Sequence, residues 1–287
     1  MPQEENTYMF DAESIEEMTR LIYQDALFTE GMGGFFAERQ NDFTGIKSVL
    51  DIGCGPGEWV RDLANDHPQI KVVGIDISKR MIEYADAQAQ LRELGNIEFL
   101  VMDATKPLDF PAGSFDLVNA RYLAGFLAAD LWLEVIREFW RLLRPGGYIR
   151  LTESEFFGSS NSQSMEILAG LLTAALKKVG HSLTPESRNN GLVPGIAPLL
   201  RQIGFQDVAV VPHLIEYSYG TRAYPVIIKD WEIGYRMAFD IFLKTQVADS
   251  LEQLQELHEN MLKEFVDPNF LAIHDLIATW GRKPLDS

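Results

Sequence analysis

A short apolar stretch that runs into a glycine-rich loop constrains the fold of this chain more than any other segment. Residues 49–57 read Val-Leu-Asp-Ile-Gly-Cys-Gly-Pro-Gly, and a helical pattern begins at Glu58. A strand end that faces a helix N-terminus offers backbone N–H groups and a partial positive dipole, and glycines let the main chain approach a ligand closely. The segment therefore predicts a site for a nucleoside cofactor, with Asp51 just before the turn.

A second acid supports this prediction. The next apolar run, 71–75, is followed by Asp76, roughly 20 residues after the loop, where a doubly wound sheet places the carboxylate that binds ribose hydroxyls. Dinucleotide-binding enzymes share such an acid, but their loop reads Gly-x-Gly-x-x-Gly, whereas this loop reads Gly-x-Gly-x-Gly. Because Asp51 would also repel a pyrophosphate, the pattern favours a cofactor that carries an ammonium group.

Strand and helix patterns alternate from residue 47 onward, which indicates right-handed βαβ units and a parallel sheet. Ser78 is a suitable N-cap for the second helix, and Gly95 follows it as a suitable stop. The predicted strands are 48–52, 71–76, 97–102, 115–120 and 148–152, and the predicted helices are 58–65, 79–94 and 130–143.

Several segments in this order resemble the class I S-adenosylmethionine-dependent methyltransferases. The loop resembles the first motif of that family. Later segments resemble its second and third strand ends, its fourth strand, the turn before its fifth strand and its last strand. The resemblance implies an α/β fold: a Rossmann-like, seven-stranded, mostly parallel sheet with helices on both faces, plus helical cap insertions. The segments are Asp51-Ile52-Gly53-Cys54-Gly55-Pro56-Gly57, Gly74-Ile75-Asp76-Ile77-Ser78, Met102-Asp103-Ala104 and residues 115–121, 142–147 and 278–284.

Stretches between and before these motifs carry helical patterns of their own, and we expect them to roof the cofactor cleft and select the substrate. The sixth strand is expected at 207–211, extending toward Tyr217, and the seventh at 272–280. We predict a single domain over 1–287, with its core at about 44–157, 195–217 and 268–284 and its cap at about 1–43, 158–194 and 218–267.

The resemblance also implies which residues hold the cofactor. It assigns the backbone of Gly53, Cys54, Gly55 and Gly57 to the methionine part, and Asp51 indirectly to the ammonium group. It assigns Asp76 to the ribose, Asp103 to the adenine amino group, and Ile77, Met81 and Ala104 to the faces of the adenine. Further cofactor candidates are Asn119, Ala120, Arg121 and Tyr122 after the fourth strand, and Tyr8 and Arg20 on the N-terminal cover.

Methyl transfer from a sulfonium depends mainly on orientation and exclusion of water, and a general base is needed only if the acceptor is an alcohol. The candidate bases are His181, His213, Glu153 and Glu155, each of which could instead be a structural polar residue. Arg121 could bind an acidic acceptor or pair with Glu153. Cys54 lies between two glycines, where a small side chain fits, and this favours a structural role over a nucleophilic one.

Composition excludes several partners. With 42 acidic and 25 basic residues the formal net charge is −17, which would repel a nucleic acid backbone. No stretch reaches the 18 apolar residues of a membrane span, and no cluster has metal-ligand spacing.

One cysteine excludes an internal disulfide, and residues 1–6 do not resemble a secretory signal, so we expect a cytoplasmic protein.

These observations predict an S-adenosylmethionine-dependent methyltransferase that acts on a small, hydrophobic or aromatic molecule such as a secondary metabolite, with O-methylation favoured over N- or C-methylation. Aromatic residues in the expected cap support such an acceptor, although they would also serve cap packing. We expect a monomer or a homodimer. The alternative is a protein of the same fold that binds S-adenosylmethionine but acts as a cyclase or a ligand-binding module.

Overall fold

The computed structural model describes residues 10–184, 186 and 189–286. Tyr8, a predicted cofactor residue, lies outside this part of the chain. The first half contains α1 (Ile15–Gly31), β1 (Ser48–Ile52), α2 (Glu58–Asp66), β2 (Lys71–Asp76), α3 (Lys79–Leu91), β3 (Ile97–Val101), β4 (Phe115–Arg121), α4 (Trp132–Leu142) and β5 (Leu143–Glu153). The second half contains β6 (Ser159–Ser160), α5 (Gln163–Lys178), α6 (Leu192–Ile203), β7 (Gln206–Glu216), α7 (Tyr224–Met237), α8 (Phe239–Lys244), α9 (Leu251–Phe265) and β8 (Ala272–Arg282).

The strands of the described residues form one mixed sheet. Strands β1 to β5 pair in parallel in the order β3-β2-β1-β4-β5, and β8 then pairs antiparallel with both β5 and β7. The mostly parallel, Rossmann-like sheet is thus confirmed, but the predicted count of seven strands is wrong, because the sheet has eight. The additional strand is β6, in which Ser159 and Ser160 pair with the first residues of β8. Two residues are too few to show a hydrophobic period in sequence.

Element boundaries differ from the predictions where turn chemistry is involved. Helix α3 ends at Leu91 rather than at residue 94, and Glu93 then takes the left-handed conformation with a φ of 54°. Strand β5 starts at Leu143, five residues earlier than expected, because a bulge lets the Pro145 turn stay within the pairing with β4. The predicted cap segment 218–267 contains three helices, α7, α8 and α9.

Apolar clusters on both faces hold the sheet. Helices α2 and α3 bury Trp59, Leu63 and Ile82 on one face, while α4 and α6 bury Phe139 and Leu200 on the other. A third cluster joins α1, α5, α7, α8 and α9 to β7 and β8. We call α1, α5, α7, α8 and α9 the cap. None of the helices in the described ranges is long and apolar enough to cross a membrane.

The direction of β8 brings its first residues to the cofactor side of the sheet. The carboxyl ends of β1, β2 and β4 meet at one edge, which is where ligands bind in open α/β sheets. Because β8 runs antiparallel to β5, its first residues lie at that same edge, and Ile277 pairs with Glu153 at the end of β5. His274, three residues before Ile277, therefore lies near the carboxyl ends of the parallel strands.

Candidate cofactor and acceptor site

The glycine loop after β1 adopts a backbone conformation that favours glycine. Gly53, Gly55 and Gly57 have φ values of 66°, 52° and 77°, in the left-handed region that other residues rarely adopt. A Cβ atom on Gly57 would lie 2.7 Å from the ring of Phe99, so the loop is also packed tightly against β3. No side chain caps helix α2 at Gly57. The loop thus presents backbone and a helix N-terminus to the sheet edge.

Asp76, at the end of β2, is tied to this loop. Its Oδ2 accepts a hydrogen bond from the backbone N–H of Gly55 at 2.9 Å, and its Oδ1 accepts one from Ser78 at 2.8 Å. Each carboxylate oxygen has two acceptor positions, so each keeps one for a ligand. Burial raises the pKa of Asp76. These hydrogen bonds hold the carboxyl group in place at the sheet edge.

Asp51, at the end of β1, starts a chain of buried polar contacts that leads away from the loop. Its Oδ1 accepts a hydrogen bond from Asn119 Nδ2 at 2.7 Å, and Asn119 Oδ1 accepts one from Arg150 Nη1 at 3.0 Å. Arg150 pairs with Glu38 at 2.9 Å, and Glu38 also contacts His213 Nε2 at 3.0 Å. Burial raises the pKa of Asp51 to about 7, against the effects of Asn119 and Arg150.

Glu38 is the acidic member of this chain. Burial by itself would raise its pKa, but the hydrogen bonds from His213 and Arg150 and the charge of Arg150 outweigh burial and lower the pKa to about 2. The carboxylate is thus charged and holds Arg150 in position behind Asn119. This arrangement fixes the orientation of the Asn119 amide that faces Asp51.

One cavity of about 530 Å³ extends from the glycine loop into the cap, a volume within the usual range for small-molecule sites. Most of the predicted cofactor residues line it, whereas Gly57, Asn119 and Ala120 do not: Asn119 and Ala120 are fully buried behind the loop. The predicted cofactor residues in its wall are Arg20, Asp51, Gly53, Cys54, Gly55, Asp76, Ile77, Met81, Asp103, Ala104, Arg121 and Tyr122.

Two residues of the cavity wall near the loop, Asp103 and Cys54, have different chemical properties. The backbone N–H and the hydroxyl of Thr105 both donate to Oδ1 of Asp103, at 2.8 Å and 2.7 Å, which fixes that carboxylate after β3. Burial and the carboxylates of Asp76 and Asp51 raise the pKa of the Cys54 thiol. A protonated thiol is a poor nucleophile, so the structural role predicted for Cys54 agrees with its surroundings.

The cap side of the cavity includes the aromatic rings of Phe28, Trp231 and Tyr235. Next to them lies a buried histidine that the sequence predictions do not include. The hydroxyl of Tyr122 lies 2.8 Å from Nε2 of His274. The imidazole stacks on Phe28 at 5.1 Å and meets the edge of Trp231 at 5.4 Å. Burial lowers the pKa of His274 to about 4 and raises that of Tyr122. The neutral ring carries one N–H, so either the Tyr122 hydroxyl donates to Nε2 or Nε2–H donates to the hydroxyl oxygen.

Glu153, at the end of β5, lines the same cavity. Its Oε1 accepts a hydrogen bond from the backbone N–H of Leu123 at 2.8 Å, and its Oε2 is buried with no hydrogen-bond partner among the described residues. Burial raises the pKa of Glu153 to about 8. The group is thus a neutral carboxylic acid at neutral pH and can donate a hydrogen bond.

Both arginines of the cavity wall are bound to carboxylates. Arg121 pairs with Asp25 of α1 and donates to Thr29 at 3.3 Å, so the pairing with Glu153, one of the two alternatives for Arg121, is not formed. Arg20 of the same helix pairs with Glu17 at 2.8 Å and with Asp230 of α7 at 2.7 Å. Helix α1 supplies the carboxylate that pairs with Arg121. Reading the sequence strand by strand does not show that α1 packs there.

The other candidate bases have partners elsewhere. His181 Nδ1 contacts the carbonyl oxygen of Ala124 at 3.0 Å, and His213 contacts Glu38; neither histidine is part of the described cavity wall. Glu155 accepts hydrogen bonds from the backbone N–H groups of Gly191 and Val193, at 2.5 Å and 3.0 Å. Glu155 therefore caps the N-terminus of α6. Of the catalytic candidates, Glu153 and Arg121 reach the cavity.

The glycine loop, the acid after β2 and the order of the sheet agree with what a comparison with known families finds. A family model described as a methyltransferase domain matches residues 49–147. The chain contains a class I S-adenosylmethionine-dependent methyltransferase domain. The resemblance found in the sequence is thereby confirmed, and S-adenosylmethionine is the cofactor of this methyltransferase domain.

Known proteins that are similar to this chain differ in how much of it they cover. Demethylmenaquinone methyltransferase from Lactococcus lactis is 40% identical over 118 residues, which are 41% of this chain and 45% of that protein. The chain thus matches less than half of that relative's length. Methyltransferase pytC from Aspergillus terreus is 25% identical over 254 residues, covering 83% of this chain and 72% of that protein.

Solved structures share the fold of this chain. Phosphoethanolamine N-methyltransferase 2 from Haemonchus contortus, in complex with S-adenosyl-L-methionine, has a TM-score of 0.53 at 20% identity, covering 93% of this chain and 57% of that one. The YcgJ protein from Bacillus has a TM-score of 0.51 at 18% identity, covering 83% and 92%. At such identities the likeness concerns the fold alone.

Proposed function

We propose that this protein transfers the methyl group of S-adenosylmethionine to a small, hydrophobic or aromatic molecule, with a hydroxyl oxygen favoured as the accepting atom. The observation that carries the proposal is the single cavity that joins the glycine loop to an aromatic wall in the cap. A methyl donor in the loop and an acceptor under the cap would then share one enclosed space, as an in-line transfer requires.

The residues around the loop fit the cofactor. Asp76 offers one acceptor position on each oxygen, which suits the two ribose hydroxyls. We place the adenine beside Asp103, between Ile77, Met81 and Ala104, and the methionine part along the glycine loop, with Asp51 toward the ammonium group. When bound, the cofactor supplies an electrophilic methyl group on a sulfonium. The chain's own residues orient it and exclude water.

The cap wall favours a neutral acceptor. Arg20 and Arg121 are both bound to carboxylates, so a carboxylate or phosphate on the acceptor would have to displace an existing partner. Phe28, Trp231 and Tyr235 instead provide ring surfaces, on which an aromatic molecule can stack. The name of the Lactococcus lactis relative, demethylmenaquinone methyltransferase, supports an acceptor of this hydrophobic kind. We propose that the cap selects the acceptor.

Two buried polar groups in the wall favour oxygen as the accepting atom. Transfer to a hydroxyl releases a proton, and the cavity wall contains Tyr122 bound to the neutral His274, with the carboxyl group of Glu153 nearby. The alternative of a cyclase or a binding module remains for this fold, because the cofactor loop is the same in either case.

The test is formation of S-adenosylhomocysteine. The purified protein is incubated with S-adenosylmethionine and a panel of phenols, alcohols, amines and quinols, and both products are followed by liquid chromatography with mass spectrometry. We expect S-adenosylhomocysteine in equal amount to a methylated phenol. Binding of S-adenosylmethionine by calorimetry, without S-adenosylhomocysteine for any member of the panel, would overturn the proposal and favour the binding module or cyclase.

A further inference from the structure

We infer that Tyr122 and His274 form a proton relay, in which Tyr122 is the catalytic residue that contacts the acceptor hydroxyl and His274 is the positioning residue that receives the proton through it. The inference rests on the proposed function and names the groups that deprotonate the acceptor. Both residues line the cavity that also contains the cofactor loop.

The backbone places Tyr122 for this role. It follows β4 directly and has a φ of 58° and a ψ of 37°, a left-handed conformation that is uncommon for a residue with a side chain. Its backbone N–H donates to the carbonyl oxygen of Thr152 in β5 at 2.9 Å. The sheet therefore holds Tyr122 in this unfavourable conformation, with its hydroxyl at the imidazole of β8.

The aromatic residues packed around His274 fix the orientation of its imidazole ring. Phe28 of α1 stacks on one face at an angle of 13°, and Trp231 of α7 meets the ring at 68°. His274 is only 2% exposed, and its Nδ1 has no hydrogen-bond partner among the described residues. In the relay Tyr122 donates to Nε2, so the ring proton is on Nδ1 and the lone pair of Nε2 points at the tyrosine hydroxyl.

The relay conserves atoms and charge. The acceptor oxygen forms a bond to the methyl carbon, the bond from carbon to sulfur breaks, and its electron pair stays on sulfur as S-adenosylhomocysteine forms. The acceptor proton passes to Tyr122 Oη while the tyrosine proton passes to His274 Nε2. The positive charge lost from the sulfonium thus reappears on the imidazolium, which later releases its proton to solvent.

Charged groups on the neighbouring elements affect the stability of this imidazolium. Carboxylates stabilise it and cations destabilise it. Asp275, the next residue of β8, favours the charged ring. Asp230 of α7 acts on the bound Tyr122, as does Glu153 of β5 once it ionises. Arg121 of β4 is a cation in the same wall, as are Arg20 and Lys106, and Asp25 partly neutralises Arg121. The bound sulfonium disfavours a second cation, and its loss in the transfer removes that repulsion as the proton arrives.

The experiment compares Tyr122→Phe and His274→Gln with two matched variants remote from the cavity, Tyr224→Phe and His258→Gln. Tyr224 donates to the carbonyl oxygen of Phe265 at 3.0 Å, and His258 Nε2 contacts the carbonyl oxygen of Glu232 at 2.7 Å. The acceptors are phenol, 4-chlorophenol and 4-nitrophenol, which are increasingly acidic. We expect kcat for phenol to fall about 100-fold in the relay variants, with a much smaller fall for 4-nitrophenol, which is already largely ionised.

Loss of a base and loss of a structural residue change kcat differently across the three phenols. An equal loss for all three phenols, or a loss of S-adenosylmethionine affinity that accounts for it, would overturn the relay. So would an unchanged kcat in Tyr122→Phe. Wild-type protein that methylates none of the phenols would instead count against the proposed function.

A second measurement does not need turnover. The ¹⁵N resonances of the imidazole of His274, identified by their absence in His274→Gln, should show protonated Nδ1 and an Nε2 that accepts a hydrogen bond. Tyr122→Phe should shift the Nε2 resonance, whereas Tyr224→Phe should not. An Nε2 resonance that is the same in Tyr122→Phe and wild type would overturn the relay, whatever the protein methylates.

Discussion

Glu153 accepts a hydrogen bond from the backbone N–H of Leu123 at 2.8 Å, which fixes the end of β5 against the segment that follows Tyr122. The second carboxyl oxygen, Oε2, is buried with no partner in the described part of the chain. A buried group without a full set of partners takes its neutral form when it can. The pKa of about 8 for Glu153 reflects this environment, and it has a measurable consequence for stability.

Glu153→Gln should flatten the pH dependence of stability. The pKa of Glu153 is raised from 4.5 to about 8 by folding, so its contribution to stability is complete below about pH 4.5 and is lost as the pH rises through 8. Gln keeps the acceptor for Leu123 and cannot ionise. Urea unfolding at pH 5 and pH 9 should show wild type losing on the order of 4 kcal/mol more than Glu153→Gln over that interval. Equal losses would mean that Glu153 is not neutral when folded.

Glu38→Gln should destabilise the protein at neutral pH. The pKa of Glu38 is lowered to about 2, so its stabilising contribution is present above about pH 4.5 and is lost as the pH falls through 2. The variant leaves Arg150 buried without its carboxylate, which costs roughly 3–5 kcal/mol. Urea unfolding at pH 7 measures this. The exposed pair of Glu16 and Arg236 is the control, since Glu16→Gln should cost less than about 1 kcal/mol.

Asp76→Ala should weaken binding of S-adenosylmethionine by about 10- to 100-fold, because hydrogen bonds to a charged group contribute roughly 1.5–3 kcal/mol. Asp76→Asn keeps one acceptor oxygen and should lose less. Titration calorimetry with S-adenosylmethionine measures both variants, with Asp86→Ala on the exposed side of α3 as the control. Unchanged affinity in Asp76→Ala would show that the ribose does not bind there.

Gly57→Ala should cost more stability than Gly45→Ala, although both glycines have positive φ, at 77° and 84°. Each substitution pays for the left-handed conformation, about 1–2 kcal/mol. At Gly57 the new Cβ would also lie 2.7 Å from Phe99 and 2.9 Å from Ala85, whereas nothing lies within 4 Å at Gly45. Overpacking adds about 1–3 kcal/mol. Equal unfolding midpoints for the two variants would contradict this packing.

The cofactor half of the site could be predicted because its signals are local. Asp51 and Gly53 belong to one strand and its turn, and Asp76 follows the next strand, so sequence order and spacing place all three at one sheet edge. The packing of α4 was equally accessible, since Trp132, Val135, Ile136, Phe139 and Leu142 recur at helical spacing and all are buried.

The acceptor half could not be predicted in the same way, because it depends on contacts across the whole chain. Asp25 and Arg121 meet although they are 96 positions apart, and Tyr122 and His274 meet across 152. One signal was present: the last strand of such a sheet is antiparallel, so residues at its start lie at the cofactor edge. His274, the third residue of β8, is the histidine that this rule selects.

The place of β8 between β5 and β7 also sets the order in which the molecule can be assembled. Strands β1 to β5 are joined by short crossovers and can pair early, whereas β8 follows β5 only after more than 100 residues. Contacts of such long sequence separation form late in folding. A folding chain should therefore possess its cofactor loop before Tyr122 meets His274, and an intermediate that recognises the methyl donor would still lack the means to deprotonate an acceptor.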